Sequence, residues 1–468
     1  MPGPTQTPLT VAVVGAGPSG IYAAEALSRS ADRDVRVAVL DRLPVPFGLV
    51  RYGVAPDHPS IRSIRNTLER TLDATGVRFY GDVQIGRDLT VDELRSCVDA
   101  VVYAYGAGTD RRLGIPGEDL PGSIAAPELV AWYTGHPDVH PDAGGVAAGH
   151  PPVPELIRGA REVIVVGAGN VALDVVRVLV RGVGELAQTD MPDSVLAALH
   201  GRGVTDVHLL ARRGPAYTAF TTKELRELGA LDDVDLRLDP AVLTLDESSR
   251  RVIEQDKVAA RNLVVLTEWA ARPPSGASHR VHLQFWTSPV AVLGTDRVSG
   301  MEVTRSALDA NGFVRPVGEP WVLPAQLVVR AAGYRGLPLP GAPYDDSTGR
   351  VPHAEGRVIR DGALSAGEYV TGWIKRGPTG VIGTNKSDAV ETVASLLADV
   401  DAGRVVPVGR DGALDALLAS RGIAPLDMPA WHRIDAAEIQ RGTSQGRLRT
   451  TLASHAELLA AAREDDLA

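Results

Sequence analysis

Short runs of β-branched residues alternate with apolar and amphipathic stretches of helical period over most of this chain. That is the rhythm of parallel strands joined by crossover helices. Strands are predicted at Val11–Val14, Val35–Leu40 and 101–107 (VVYAYGA), then at Val163–Val166 and Val207–Leu210. Two segments rich in Pro and Gly interrupt the rhythm. DRLPVPFGLVRYGVAPDHPSIRSIRN, from Asp41 to Asn66, cannot form a long regular element, and irregular segments of this kind in α/β proteins often carry function. GHPDVHPDAGGVAAGHPPVPE, from Gly135 to Glu155, reads as a surface excursion. Residues 183–203 insert a longer helical connection, and 235–270 carries no clear fold signal. From about 275 to 335 the runs HRVHLQFWTS, RVSGMEVTRS and AQLVVRAAG read as antiparallel strands that complete a second domain and lead back to the first. The only internal repeat is a strand–turn–helix unit that occurs twice.

Each copy of that unit carries a glycine fingerprint. The first, VAVVGAGPSG, spaces Gly15, Gly17 and Gly20 as G-x-G-x-x-G, with Ser19 inside the motif; the second, VIVVGAGNVA, sets Gly167, Gly169 and Ala172 around Asn170 and Val171. Glycine at these places permits a tight turn and lets the backbone approach a pyrophosphate at the helix N-terminus. One such motif is weak evidence. Two, each in strand–turn–helix context, point to an enzyme that brings two dinucleotides together.

The residues downstream separate the two sites. The strand after the first fingerprint ends in Asp41, 21 positions past Gly20. A carboxylate there accepts hydrogen bonds from free ribose hydroxyls and repels a 2′-phosphate, which suits FAD or NAD. The matching strand of the second copy ends in Ala211, Arg212, Arg213 and Gly214. Two guanidiniums clamp a 2′-phosphate through charge-assisted bonds. The sequence therefore predicts FAD at the first site and NADPH at the second. The competing reading of Arg212 and Arg213 is a pair of solvated surface arginines.

Composition narrows the chemistry. With 468 residues the chain accommodates two or three domains, and a formal charge of −10 disfavours bulk electrostatic binding of nucleic acid. Cys97 is the single cysteine, so no C-x-x-C redox pair and no cysteine-ligated iron–sulfur cluster can be built from this chain. Cys97 itself, in VDELRSCVDA, reads as a packed helical residue. The opening MPGPTQTPLT lacks a basic n-region and an apolar h-region, and no apolar run reaches 18 residues. A cytoplasmic protein without an integral membrane segment is expected. His136, His140 and His150 in the second irregular stretch lack a further ligand set, so no metal is expected.

Five segments in order resemble the adrenodoxin-reductase-like ferredoxin–NADP reductases: PFGLVRYGVAPDHP at 46–59, GAGTDRRLGIPGEDLPGSIAAPELVAWY at 106–133, VGAGNVALDVVRVL at 166–179, ARRGPAYTAFTTKELREL at 211–228 and GWIKRGPTGVIGTNKSDAVETV at 372–393. The resemblance runs from about residue 10 to 455 and is loose between about 235 and 320. It implies an α/β fold of two nucleotide-binding, Rossmann-like domains. The NADP-binding domain, 126–334, would be inserted into a discontinuous FAD-binding domain, 1–125 and 335–468. Asp41 matches the acidic residue for the FAD ribose, more often Glu in the family, and Leu49 falls in the segment passing along FAD. Arg111, Asn170, Val171, Arg212, Arg213 and Glu224 match positions that hold NADP. Trp373, Gly380, Val381 and Ile382 match the stretch that lines the flavin ring and closes on NADP. His58 and Glu227 match positions near the nicotinamide, and Asp174 either caps local structure or holds a water network.

The activity implied is electron transfer from NADPH through FAD to an acidic ferredoxin or similar small iron–sulfur carrier, with a cytochrome P450 or similar system as one downstream route, by a monomeric protein. Arg250, Arg251, Lys257 and Arg261 are weak candidates for a docking patch. The alternatives are a flavin monooxygenase, for which no second-substrate motif is visible, and a non-catalytic NADP(H)-sensing flavoprotein.

Overall fold

The computed structural model describes residues 7–30, 32–140 and 151–463, so His150 lies outside the described residues. The chain forms two compact units. The first comprises residues 1–54, 58–109 and 334–468, and the second residues 55–57 and 110–333. Among the described residues, no helix is long and apolar enough to cross a membrane.

A seven-stranded sheet forms the middle of the first unit, in the order His353–Ala354, Arg357–Arg360, Ala363–Val370, Ala100–Tyr103, Leu9–Val14, Val35–Leu40, Val77–Tyr80. The last five run parallel, with Val11 opposite both Val37 and Ala100. Leu9–Val14 is buried along its whole length, because helices cover both faces of a parallel sheet. One face packs Val11, Val13, Ile21, Phe47, Val393, Leu396 and Trp431 into a core; the other gathers Val14, Leu40, Leu94, Val101, Tyr103 and Leu418. Helix Pro18–Ser28 lies against helix Ile382–Asp401, so the two ends of the chain share one core. Cys97 ends helix Val91–Cys97 and is buried.

The far end of Ile382–Asp401 is stitched to the antiparallel edge of this sheet by Asp399. Its carboxylate accepts bonds from Arg357 Nε at 2.9 Å, Arg404 Nε at 2.9 Å and the Tyr369 hydroxyl at 2.8 Å. Burial pushes this carboxyl up, but Arg357, Tyr369 and Arg404 outweigh it and hold it below its ordinary range.

The second unit is built on a six-stranded parallel sheet in the order Ser123–Ala125, Leu327–Arg330, Glu162–Val166, Asp206–Ala211, His279–Phe285, Val234–Leu238. A separate antiparallel sheet of Thr287–Leu293, Gly300–Leu308 and Val314–Pro324 covers part of one face, where Val292, Met301 and Val303 meet Ile164, Val166 and Leu210. Of the three runs expected to be antiparallel, HRVHLQFWTS and AQLVVRAAG therefore supply parallel strands, and only RVSGMEVTRS is antiparallel. The alternation in His279–Phe285 arises because Arg280, His282 and Gln284 lie on a face that nothing covers fully, so a parallel strand acquires a half-buried pattern. The stretch without a clear signal folds into Val234–Leu238 and the helices Glu247–Gln255 and Lys257–Ala270.

Residues 110–125 pack with the second unit, so its boundary falls at 109/110 where the sequence reading set it at 125/126. Strand Ser123–Ala125 pairs with Leu327–Arg330, Leu113, Ile115 and Leu120 pack against the core beneath, and the buried Arg330 guanidinium donates to Asp110 at 3.0 Å and to the carbonyls of Glu118 and Ser123.

Replacing Asp399 with Asn takes the counter-charge from Arg404 and leaves Arg357 only the exposed carboxylate of Glu355, and is expected to cost the first unit about 2 kcal/mol. Because the carboxyl is held low in the folded state, this contribution is complete above the ordinary carboxylate range and fades as pH falls below it. Urea titrations at several pH values check this: the gap between wild type and Asp399→Asn should narrow on acidification.

Candidate functional site

The first fingerprint forms the predicted turn between strand Leu9–Val14 and helix Pro18–Ser28. Gly15 has φ +112°, and a Cβ there would come within 2.6 Å of the Ala104 carbonyl oxygen. Asp41 closes the turn from outside: Oδ2 accepts the Ala16 amide at 2.8 Å and Oδ1 the Leu43 amide at 3.0 Å. Burial pushes this carboxyl above its ordinary range, against the pull of the Leu43 and Ala16 amides. Each oxygen retains acceptor capacity for a ribose hydroxyl.

Two further segments converge on this turn. In the first, the Phe47 amide donates to the Ala16 carbonyl at 2.8 Å, and Gly48 passes so near Gly17 that a Cβ on it would stand 3.0 Å from the Gly17 Cα. Phe47 has φ +84°, a conformation that costs a bulky residue on the order of 1–3 kcal/mol. Leu49 then opens the short helix Leu49–Tyr52. The second segment is Thr371–Asn385. Gly372, with φ +77°, faces the Ser19 hydroxyl so closely that no side chain fits there. Ser19 Oγ donates to Asn385 Oδ1 at 3.0 Å. Asp388, on the same helix, accepts the Gly372 amide, Arg376 Nη1 at 2.9 Å and Lys375 Nζ at 2.9 Å. Trp373 stacks obliquely on Tyr334 at 5.5 Å, and its buried Nε1 has no hydrogen-bond partner among the described residues. Gly380 has φ +84°, Val381 is exposed, and Ile382 begins the 20-residue helix. The sequence-selected residues of this unit, Gly15, Gly17, Ser19, Gly20, Asp41, Leu49, Trp373, Gly380, Val381 and Ile382, thus lie on three segments that meet at one turn.

The second fingerprint folds the same way between strand Glu162–Val166 and helix Asn170–Val180. Gly167 has φ +150° and approaches the Ala331 carbonyl, Gly169 faces open space, and Ala172 is buried under the turn. Asn170 Oδ1 accepts the Thr221 amide at 2.9 Å, and Val171 packs at the edge of the core. Arg212 is exposed, and its guanidinium makes no hydrogen bond or ion pair among the described residues. Arg213 lies over the Tyr217 ring at 5.6 Å, and its buried Nε has no hydrogen-bond partner among the described residues. Their backbone is held from below, where Ser306 Oγ donates to the Arg212 carbonyl at 2.8 Å and the Trp286 amide to that of Arg213 at 3.2 Å. Arg111 is exposed, with its amide on the Gly333 carbonyl.

Glu224 stands in the first turn of helix Thr222–Leu228. It is buried, and its carboxylate accepts Arg177 Nη1 at 3.3 Å. Arg177, wholly buried, also donates to Asp57 at 2.5 Å and Asp174 at 2.7 Å, so Asp174 belongs to a structural ion cluster. Glu227 sits one turn after Lys223, 3.7 Å from its ammonium. His58 is buried in the first unit, where its carbonyl accepts the Ile61 and Arg62 amides. Arg251 pairs with Glu247 and Arg250 donates to the Leu245 carbonyl, as on a solvated helix face.

Comparison with known proteins agrees with this geometry. A model of the pyridine nucleotide-disulphide oxidoreductase family matches residues 9–270. The NADPH-ferredoxin reductase FprA of Mycobacterium tuberculosis is 44% identical over 97% of this chain and 98% of its own. The chain belongs to the NADPH–ferredoxin reductase family. The mitochondrial NADPH:adrenodoxin oxidoreductase of Bos taurus is 38% identical over 97% of this chain and 92% of its own. A solved structure of Mycobacterium tuberculosis FprA in complex with NADPH superposes with a TM-score of 0.89 at 43% identity, covering 97% of this chain and 99% of that one. With one cysteine, this reductase shares the fold of the wider family without a dithiol.

Sequence reasoning missed Phe47, Gly48, Gly372, Lys375, Arg376 and the ion cluster of Arg177. The glycines had a signal, since Gly372 and Gly377 bracket Trp373–Arg376 in the quoted segment. The Arg177 cluster had none, because Asp57 and Glu224 are remote from it in sequence.

Arg177→Met is expected to remove the cation shared by Asp57, Asp174 and Glu224, leaving Arg181 on Asp57, and to destabilise the second unit by about 3 kcal/mol. A urea titration followed by far-ultraviolet circular dichroism checks it; a shift below 1 kcal/mol would show the cluster to be incidental.

Proposed function

We propose that the protein takes electrons from NADPH and hands them singly to an acidic ferredoxin or similar small iron–sulfur carrier, with FAD held in the first unit and NADPH in the second. The observation that carries this is the contrast between the two strand ends that follow the fingerprints. Asp41 presents a carboxylate where Arg212 and Arg213 present guanidiniums without acidic partners. The first suits a free ribose, the second a 2′-phosphate.

The residues present fit FAD. Gly17 and Gly48 leave a backbone cradle, the Ser19 turn opens the helix Pro18–Ser28, and Trp373 Nε1 is a donor awaiting an acceptor. When bound, FAD supplies the exchange between a two-electron hydride and single electrons. In this reading Gly15, Gly17, Ser19 and Gly20 bind its pyrophosphate, Asp41 its ribose, and Leu49 and Trp373 border the ring. Gly380, Val381 and Ile382 turn a helix N-terminus, with its unsatisfied amides, toward negative charge. Gly167, Gly169 and Ala172 bind the pyrophosphate of NADPH; Arg111, Asn170, Val171, Arg212 and Arg213 hold its phosphates and ribose. Hydride transfer requires apposed rings and exclusion of water, with no obligatory acid or base. His58 and Glu227 therefore orient the nicotinamide, and Glu224 acts through Arg177. The absence of a cysteine pair accords with a cytoplasmic setting, and the protein works as a monomer.

Stopped-flow mixing of the FAD-loaded protein with NADPH or NADH tests the assignment, followed by cytochrome c reduction with and without ferredoxin. Arg212→Ala should lower the preference for NADPH by about 10–100-fold, the worth of one charge-assisted phosphate contact. Bleaching without dependence on ferredoxin would leave an NADPH-oxidising flavoenzyme with another acceptor. No bleaching by either nucleotide would sink the enzyme reading.

A further inference from the structure

The Phe47–Tyr52 segment, which borders the first fingerprint, is held by a buried ion pair reaching across almost the whole chain. Arg51, 4% exposed, forks onto Glu438, 0% exposed, with Nη1 3.1 Å from Oε2 and Nη2 on Oε1. Glu438 lies on helix Met428–Ser444 and is itself fixed. Its Oε1 accepts the Leu452 amide at 2.9 Å, its Oε2 accepts Arg449 Nη2 at 2.8 Å, and its own carbonyl accepts the Thr450 amide. Two turns before it, Trp431 meets the Phe47 ring edge-on at 5.3 Å, lies under the Arg51 guanidinium at 5.6 Å, and donates Nε1 to Glu69 at 3.0 Å.

Each of these contacts bears on the same short stretch. Phe47 adopts its left-handed backbone with its ring clamped by Trp431, and its amide is bonded to Ala16 inside the fingerprint turn. Gly48 follows against Gly17, and the Gly48 carbonyl accepts the Arg51 amide at 3.1 Å. A shift of Arg51 is therefore transmitted through less than one helical turn to the backbone that lies over the N-terminus of helix Pro18–Ser28.

We infer that Glu438, acting through Arg51, is a positioning residue for the flavin dinucleotide. It fixes the Phe47–Gly48 backbone as the outer wall of the pyrophosphate cradle and so sets how long the cofactor is retained. This rests on the assignment of FAD to the first unit. The helix Met428–Ser444 and the segment to Leu452 thereby become part of the cofactor site without touching it.

The test compares Glu438→Gln with Asp399→Asn in the full-length holoprotein. Asp399→Asn removes a carboxylate from the ion cluster at the far end of helix Ile382–Asp401, about 21 Å along the axis from Asn385. The rate of FAD release is read from the fluorescence of free flavin under conditions where circular dichroism shows both variants folded. Glu438→Gln is expected to release FAD roughly tenfold faster or more, with an altered absorbance of the bound flavin and an unchanged KM for NADPH. Asp399→Asn, although destabilised, should release it at the wild-type rate. Equal rates in Glu438→Gln and wild type would overturn the inference, as would equal acceleration in both variants, which would mark a general loss of stability. If Glu438→Gln does not fold, Arg51→Lys, which keeps the charge and loses the fork, carries the same expectations. A wild-type protein that neither carries nor takes up FAD would overturn the cofactor assignment itself, an outcome distinct from the others.

Discussion

The first unit depends on a steric constraint: at one point, backbone must pass against backbone with no side chain between. A Cβ on Gly48 would stand 3.0 Å from the Gly17 Cα, and nearby a Cβ on Gly372 would collide with the Ser19 side chain. Only glycine tolerates this approach, and the approach brings three remote stretches of chain to the mouth of one strand–turn–helix unit. A pyrophosphate needs that geometry, since its oxygens are bound by amides that a Cβ would shield. The rest of the unit serves to hold these stretches in place. The sheet supplies the turn, Asp388 gathers Gly372, Lys375 and Arg376, and the buried pair Arg51–Glu438 holds the third stretch.

Charge is arranged on a consistent principle in both units. Guanidiniums that work inside the fold, such as Arg51, Arg177, Arg330 and Arg357, are forked onto carboxylates or carbonyls. Arg212 and Arg213 stand apart, since their backbone is fixed by Ser306 and Trp286 while their charged heads are left without acidic partners. Buried arginines of the first kind are costly to isolate and so specify the fold.

Much was legible from sequence because it follows from local rules. Period and β-branched runs located the parallel strands, glycine spacing located both turns, and the residues ending the following strands set a carboxylate beside one turn and two guanidiniums beside the other. Each depends on neighbours within about 30 residues, the length of one βαβ unit. Even the misread run His279–Phe285 was correctly a strand. Its partner direction was misjudged because alternation reports which faces are covered and carries no information on orientation.

What tertiary structure decided lies in contacts between residues far apart in the chain. That Ser19 would bind Asn385, that Phe47 would rest on Trp431, and that Arg177 would gather Asp57 and Glu224 left no periodic or spacing signal. The allotment of residues 110–125 to the second unit rests on the pairing of Ser123–Ala125 with Leu327–Arg330, the packing of Leu113, Ile115 and Leu120, and the buried Arg330 guanidinium that reaches Asp110. Sequence by itself determined which chemical groups the two glycine turns present, since glycine, carboxylate and guanidinium act through their own shape and charge. Structure decided how those sites are held, because support comes from packing and buried ion pairs whose partners are chosen only once the chain has folded.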